Sequence, residues 1–217
     1  MNALKLEDIK MQFNQKVLFE NLDLAIEKGT INTIMGESGS GKSTLLNIIG
    51  LLLKPTTGAI NILDYQNVNP NTRQAMLILR NKISYIFQNY ALIENDTVKE
   101  NLLLSKKYRK NFKEKELEES LEKVGISKEY LGHKVCELSG GEQQRIAIAR
   151  TMLKPCEIIL ADEPTGNLDT SNKEKIIHLF KELKKEGKTI VCVTHDEEMA
   201  KSADRIIDLK KERGREK

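Results

Sequence analysis

The stretch "INTIMGESGSGKSTLLNIIG", Ile31 to Gly50, constrains this chain more than any other. An apolar run enters a loop carrying Gly36, Gly39 and Gly41 and leaves it as "KSTLLNII". The spacing fits G-x-x-x-x-G-K-[ST], with Gly36, Gly41, Lys42 and Ser43 at the fixed positions. Glycines packed between a buried strand and a buried helix let the backbone wrap tightly, so that successive N–H groups point inward at the helix N-terminus. Such a loop encloses an anion, and it requires a strand covered on both faces, the beginning of an α/β fold. Chance produces such a match in a chain this long about once in a hundred.

The 217 residues suffice for one large domain, or one with an inserted subdomain. With 35 basic against 32 acidic side chains the net charge is only +3, which argues against a general nucleic-acid binder. Cys136, Cys156 and Cys192 show no CxxC spacing, so they read as thiols of a reducing compartment and not as disulfides or a zinc site. "MNALKLEDIK" lacks the apolar region of a signal peptide, and the longest apolar run, Leu45 to Leu53, is far short of the roughly 20 residues that span a bilayer. A cytoplasmic location is expected.

Leu4, Leu6, Ile9, Met11 and Phe13 alternate with one slip, predicting an antiparallel strand with a bulge or a turn, and "LFENLDLAIEKGT" alternates again up to Gly29. "STLLNIIGLLL" predicts a helix buried on nearly every side, "TTGAINILDYQ" a strand with a turn at Gly58, and "KISYIFQN" a strand ending at Gln88. From about residue 89 to 135 the chain turns charge-dense. "KKYRKNFKEKELEESLEKVGI" predicts a helix of a solvated lobe, with Leu117, Leu121 and Val124 as its apolar stripe.

In the last third, strands "EIILADE", "KTIVCVTHD" and "RIIDL" alternate with helices. The longest helix presents Ile176, Ile177, Leu179, Phe180 and Leu183 on one face and stops at Gly187. Continuous aliphatic strands between helices predict a largely parallel sheet covered on both faces. The tail "KKERGREK" reads as a solvated end.

In this context Lys42 reaches the β- and γ-phosphates of a nucleoside triphosphate, while Ser43 and Asp162 are placed to hold Mg²⁺. Glu163, one residue past Asp162, is the carboxylate expected to polarise an attacking water. A second glycine pair stands in "LSGGEQQR", Leu138 to Arg145. Ser139, Gly140, Gly141 and Glu142 offer free N–H groups, a hydroxyl and a helix N-terminus, but no lysine and no strand to wrap from. They can cover a triphosphate held elsewhere, and the helical lobe is expected to carry them away from Lys42. The simplest reading is a nucleotide bound by a second copy, with two chains arranged head to tail.

Taken together, "GESGSGKST", "LSGGEQQR", "ILADEPTGNLD" and "VTHD" resemble the ATP-binding cassette family, in order and spacing, over essentially the whole chain. The resemblance implies a P-loop NTPase (RecA-like) core with a largely parallel sheet, an N-terminal antiparallel β subdomain and an inserted helical subdomain. The expected division is 1–88 (β subdomain and phosphate-loop half of the core), 89–150 (helical subdomain) and 151–217 (second half of the core). It also implies an ATPase whose nucleotide-binding loop includes Glu37, Ser38, Gly39, Ser40 and Thr44 beside Gly36, Gly41, Lys42 and Ser43. Gln88 matches the glutamine that senses Mg²⁺, water and the membrane subunit, and Asn167, Leu168 and Asp169 match the loop touching the opposite subunit. His195 matches the histidine that contacts the γ-phosphate. Phe13 is expected to stack on adenine, with a core position as its alternative. His133 and His178 are assigned no role.

Within the family the chain looks most like the macrolide-export and lipoprotein-release branch and compact bacteriocin or peptide exporters. That branch implies export or membrane extraction of a peptide or amphiphile through a separate integral membrane permease, with this chain peripheral on the inner face of the cell membrane. Two alternatives stand beside it: a membrane-linked ATPase that only transmits force or a signal, and a soluble ATPase of DNA repair or translation. The paired cassettes, coiled-coil inserts and zinc modules usual in the last class do not fit in this chain.

Overall fold

Strict alternation at the N-terminus builds a sheet of its own. In the computed structural model, which describes residues 1–109, 111–166 and 168–210, β1 (Asn2–Phe13) and β2 (Lys16–Glu27) form an antiparallel hairpin. Its two-residue turn puts Asn14 at φ 51°, a left-handed conformation that asparagine tolerates. β3 (Ile31–Met35) leaves for a second sheet and runs through the phosphate loop into α1 (Lys42–Ile49). β4 (Thr57–Ile62) returns to the free edge of β1, giving the order β2-β1-β4.

The predicted slip is a register shift between Leu6 and Ile9, with Asp8 at φ 49°. Gly58 accommodates the bulge. Its φ is 103°, and a Cβ there would lie 2.7 Å from the Asp8 carbonyl oxygen and 2.8 Å from that of Glu7.

After α2 (Arg73–Asn81) come β5 (Ile83–Ile86), α3 (Val98–Leu103), α4 (Lys115–Lys123) and α5 (Gly140–Leu153). β6 (Ile158–Asp162), α6 (Thr170–Lys185), β7 (Thr189–Val193), α7 (Glu197–Lys201) and β8 (Arg205–Asp208) complete the described chain. The second sheet is wholly parallel, in the order β5-β6-β7-β3-β8. Alternate residues divide between two cores. Ile34, Leu160, Val191, Val193 and Ile207 pack with α1 and the antiparallel sheet. Ile31, Ile86, Ile159, Ala161, Ile190 and Cys192 pack with α5, α6 and the helical lobe. Burial on both faces is why these strands read as unbroken aliphatic runs.

Several local expectations are corrected. The long helix expected over the charged segment is a 3₁₀ turn, Leu104–Tyr108, followed separately by α4. Only α4 has an apolar stripe to bury, in Leu117, Leu121 and the adjoining Val124, and a helix without one is marginal in water. α1 stops at Gly50, and Leu51 turns left-handed at φ 56° and stays buried, while Leu52 is exposed. β5 ends at Ile86, two residues before Gln88. α2 and α3 have no counterpart among the expected elements, although the capping box of Thr97 and Glu100 announces α3. The boundary expected at residue 150 falls inside α5. Of the tail, only Lys210 lies within the described residues.

Gly58→Ala should lower the unfolding free energy by roughly 2 kcal/mol or more, because strain and backbone overlap coincide. Gly125→Ala, also left-handed at φ 68° but with open space around it, should lose only about 1 kcal/mol. Urea unfolding midpoints of the two variants check the difference.

Candidate functional site

The phosphate loop leaves β3 at Gly36 and closes on itself through its own lysine. Lys42 Nζ donates to the carbonyls of Gly36 and Glu37 at 2.9 and 3.0 Å. Gly41, at φ 90°, lies so close to β2 that a Cβ would sit 2.8 Å from Leu18 Cδ2 and 2.9 Å from Phe19 Cζ. Both the conformation and the contact require glycine here. No side chain caps α1, so its first N–H groups are available to a ligand at the positive end of the helix.

Across the loop, Ser43 Oγ donates to Asp162 Oδ1 at 3.1 Å. Burial raises the Asp162 carboxyl above its ordinary value. The Ser43 hydrogen bond and the charge of Lys42 oppose that shift, and the charge of Glu163 adds to it. Glu163 follows at φ 47°, left-handed. This conformation brings its carboxylate to Thr194, whose hydroxyl donates to Oε2 at 3.0 Å, and to His195, whose Nδ1 lies 3.0 Å from Oε1. The His195 backbone N–H adds a 3.4 Å bond to Oε2.

Most of these groups open onto one cavity of about 580 Å³, while Gly36, Glu37, Ser40, Asp162 and Thr194 stand behind its lining. Ser38, Gly39, Gly41, Lys42, Ser43 and Thr44 line it from the loop, and Gln88, Glu163 and His195 line it from the strand ends. Phe13 also lines the cavity and is 48% exposed, so its ring is a wall and not part of the core. The Glu37 carboxylate is engaged by Lys210 at 2.5 Å, leaving its backbone to serve the loop. Lys16, Leu18 and Gly166 also line the cavity but were not foreseen. The two-residue turn at Asn14 was the available signal for the first two, since the hairpin pairs Lys16 with Phe13.

The second glycine motif lies elsewhere. Ser139 caps α5 in a reciprocal box: its Oγ donates to Glu142 Oε2 at 2.7 Å and accepts from the Glu142 N–H at 3.4 Å. That bond from Ser139, more than any other, holds the Glu142 carboxyl below its ordinary value. None of Ser139 to Glu142 lines the cavity of Lys42. A Cβ on Gly141 would stand 3.5 Å from Leu168, so the two segments expected to face another copy are neighbours. Asp169 caps α6 through the Asn172 N–H at 2.9 Å. Asn167 lies outside the described residues.

A hard divalent cation takes oxygen ligands. The hydroxyl of Ser43 against the carboxylate of Asp162, with Gln88 on the same cavity, fits one. Backbone amides, a lysine and the Glu163 carboxylate on one cavity, with Asp162 behind Ser43, can hold a polyphosphate and direct a water at it.

Residues 19–166 match the family model described as ABC transporter. The chain is 42% identical to the uncharacterized ABC transporter ATP-binding protein YvrO of Bacillus subtilis, over 89% of this chain and 85% of that one. It is 41% identical to the macrolide export ATP-binding/permease protein MacB of Mannheimia succiniciproducens, covering 97% of this chain but only 34% of that longer protein. Among solved structures, the dimeric post-hydrolysis state of the cassette MJ0796 of Methanocaldococcus jannaschii, bound to ADP and Pi, superposes with a TM-score of 0.86. That match is at 38% identity and covers 94% of this chain and 93% of that one.

A carboxyl raised on folding opposes stability at pH values above its folded pKa, and the penalty disappears once it is protonated in both states. Asp162→Asn should therefore melt higher than the parent at about pH 8, with the difference closing near pH 3. Thermal unfolding at the two pH values measures it.

Proposed function

The chain belongs to the ABC transporter family, and from that membership we propose that it is the ATP-binding and hydrolysing subunit of an exporter, working as a head-to-tail dimer through separate membrane permease subunits. The observation that carries the shared site is the separation of the two glycine motifs. The cavity holding Lys42, Ser43, Glu163 and His195 is open, while the exposed cap of α5 that suits an anion does not reach it.

In this reading Phe13 stacks on the adenine, and the amides of Gly36 to Thr44 with Lys42 hold the phosphates. Ser139 and Gly141 of the second copy close the γ-phosphate from the far side. Each ATP then bridges two chains, so that binding free energy becomes dimerisation free energy. Glu163, fixed by Thr194 and His195, orients the attacking water in line with the γ-phosphorus, and His195 holds the γ-phosphate. Ser43, Asp162 and Gln88 would hold a magnesium ion, whose chemistry there would be neutralisation of phosphate charge. Departure of phosphate removes bridging contacts and the halves separate.

Leu168 and Asp169 face the partner beside its nucleotide. The surface around Gln88 and the segment from Asn89 to Leu102 receives the permease, which places the chain on the cytoplasmic face of the membrane. Among the described residues no helix is long and apolar enough to cross a membrane. MacB is named for macrolide export, and its similarity supports export as the direction of transport; a peptide or amphiphile as cargo is part of the proposal.

Light-scattering mass of Glu163→Gln with and without Mg-ATP tests the shared site. A shift from monomer to dimer only with ATP, lost on adding Lys42→Ala or Ser139→Ala, is the expected result. Ser139→Ala also removes a helix cap worth about 1 kcal/mol, so its nucleotide-free melting temperature is measured alongside. A monomer with ATP bound, persisting when the permease is added, overturns the reading.

A further inference from the structure

Two residues past Gln88 the backbone enters an unusual turn. Tyr90 and Ala91 both have left-handed backbone, at φ 62° and 49°. A Cβ opposes that conformation, and two such residues in succession persist only where their surroundings hold them. The local bonds are short-range: the Tyr90 N–H donates to Phe87 O at 2.9 Å and the Ala91 N–H to Asn89 O at 2.7 Å.

The remaining hold comes from the last turn of α5. Arg150 Nη1 donates to Ala91 O at 2.6 Å and Nη2 to Tyr90 O at 2.9 Å. Among the described residues the partners of this guanidinium are backbone carbonyls, with no carboxylate contributing to its charge balance. Burial lowers its pKa from the ordinary value, so the cation sits in a poorly solvating place with two neutral carbonyls for partners. A fork of N–H groups suits two adjacent carbonyls in a way that a single ammonium does not.

The arrangement extends along α5. Lys154, one turn on, donates to Leu79 O and Ile83 O at 2.6 and 2.7 Å, gripping the start of β5. At the other end of the helix, a Cβ on Gly140 would lie 3.2 Å from the Tyr90 hydroxyl. α5 thus holds both ends of the segment that carries Gln88, and its first turn abuts Tyr90.

We propose that Arg150 is a positioning residue for Gln88, pinning the Tyr90–Ala91 turn so that the setting of Gln88 in one nucleotide site follows the helix whose N-terminus serves the other. The proposal rests on the reading of Gln88 as a group of the nucleotide site.

The test compares Arg150→Met, the milder Arg150→Lys, Ala91→Gly, and the Arg150→Met/Ala91→Gly double variant, with Gln88→Ala as reference. Steady-state ATPase is measured with Mg-ATP, and hydrogen exchange is followed at the Tyr90 and Ala91 amides. Arg150→Met should lower kcat about tenfold, as expected for lost hydrogen bonds to a charged group, with KM for ATP within about twofold because the phosphate loop is untouched. The two amides should exchange faster in it. Arg150→Lys should fall between parent and Met. Glycine occupies the left-handed region freely, so the double variant should recover kcat by about threefold or more.

A parental kcat in Arg150→Met overturns the proposal. So does a slow Arg150→Met that glycine fails to rescue and whose two amides exchange as in the parent, since Arg150 would then only stabilise α5. Should Gln88→Ala itself keep the parental kcat, the reading of Gln88 fails, and the exchange rates alone then decide whether Arg150 holds the turn.

Discussion

Val193 levels the C-terminal edge of the parallel sheet. It pairs with Ile34 of β3 on one side and with Asp162 of β6 on the other. The phosphate loop, the carboxylates and the Thr194–His195 pair therefore leave three neighbouring strands at the same height. The Glu163 N–H extends the ladder by one bond, to Val193 O at 2.8 Å. Burial on both faces fixes this register, because a slip of one residue would exchange the two aliphatic cores. The geometry around Ser43, Asp162 and Glu163 follows from that alignment.

Left-handed backbone at non-glycine residues occurs in several turns and bulges of the chain, among them Asp8, Asn14 and Leu51, and also beside the site at Glu163. α3, α5 and α6 begin with well-formed caps, and the core side chains are buried in continuous clusters. By contrast Glu163, Tyr90 and Ala91 are left-handed without being glycine, and Asp162 is held where burial opposes its charge. At Glu163 the departure aims a side chain at something outside the sheet. The left-handed turn at Glu163 sends its carboxylate to Thr194 and His195, where a continued strand would have directed it into the sheet's own packing.

α5 ties together regions far apart in sequence. Its exposed first turn is capped by Ser139 and Glu142, its middle is buried among Ile146, Ile148 and Ala149, and its last turn grips the backbone around β5. The capping box of Ser139 and Glu142 fixes the start of this helix.

The features legible in the sequence are those set by short-range sterics and periodicity. The glycine spacing dictated a phosphate loop, the aliphatic runs a buried parallel sheet, the alternation and slip of β1 a bulged antiparallel layer, and the motif order a cassette ATPase. The features that only the tertiary structure decided span long separations in the chain. β7 lies between β3 and β6, so that Ser43 meets Asp162, and the hairpin brings Lys16 and Leu18 to the wall behind Phe13. Helix breaks at Gly50 and between Tyr108 and Lys115 follow from which apolar faces found a partner, not from propensity. Ser139 and Lys42 each announce anion binding locally, yet their separation depends on where the helical lobe packs. Periodicity and spacing act over a few residues, whereas strand order and lobe placement come from burying whole faces against one another.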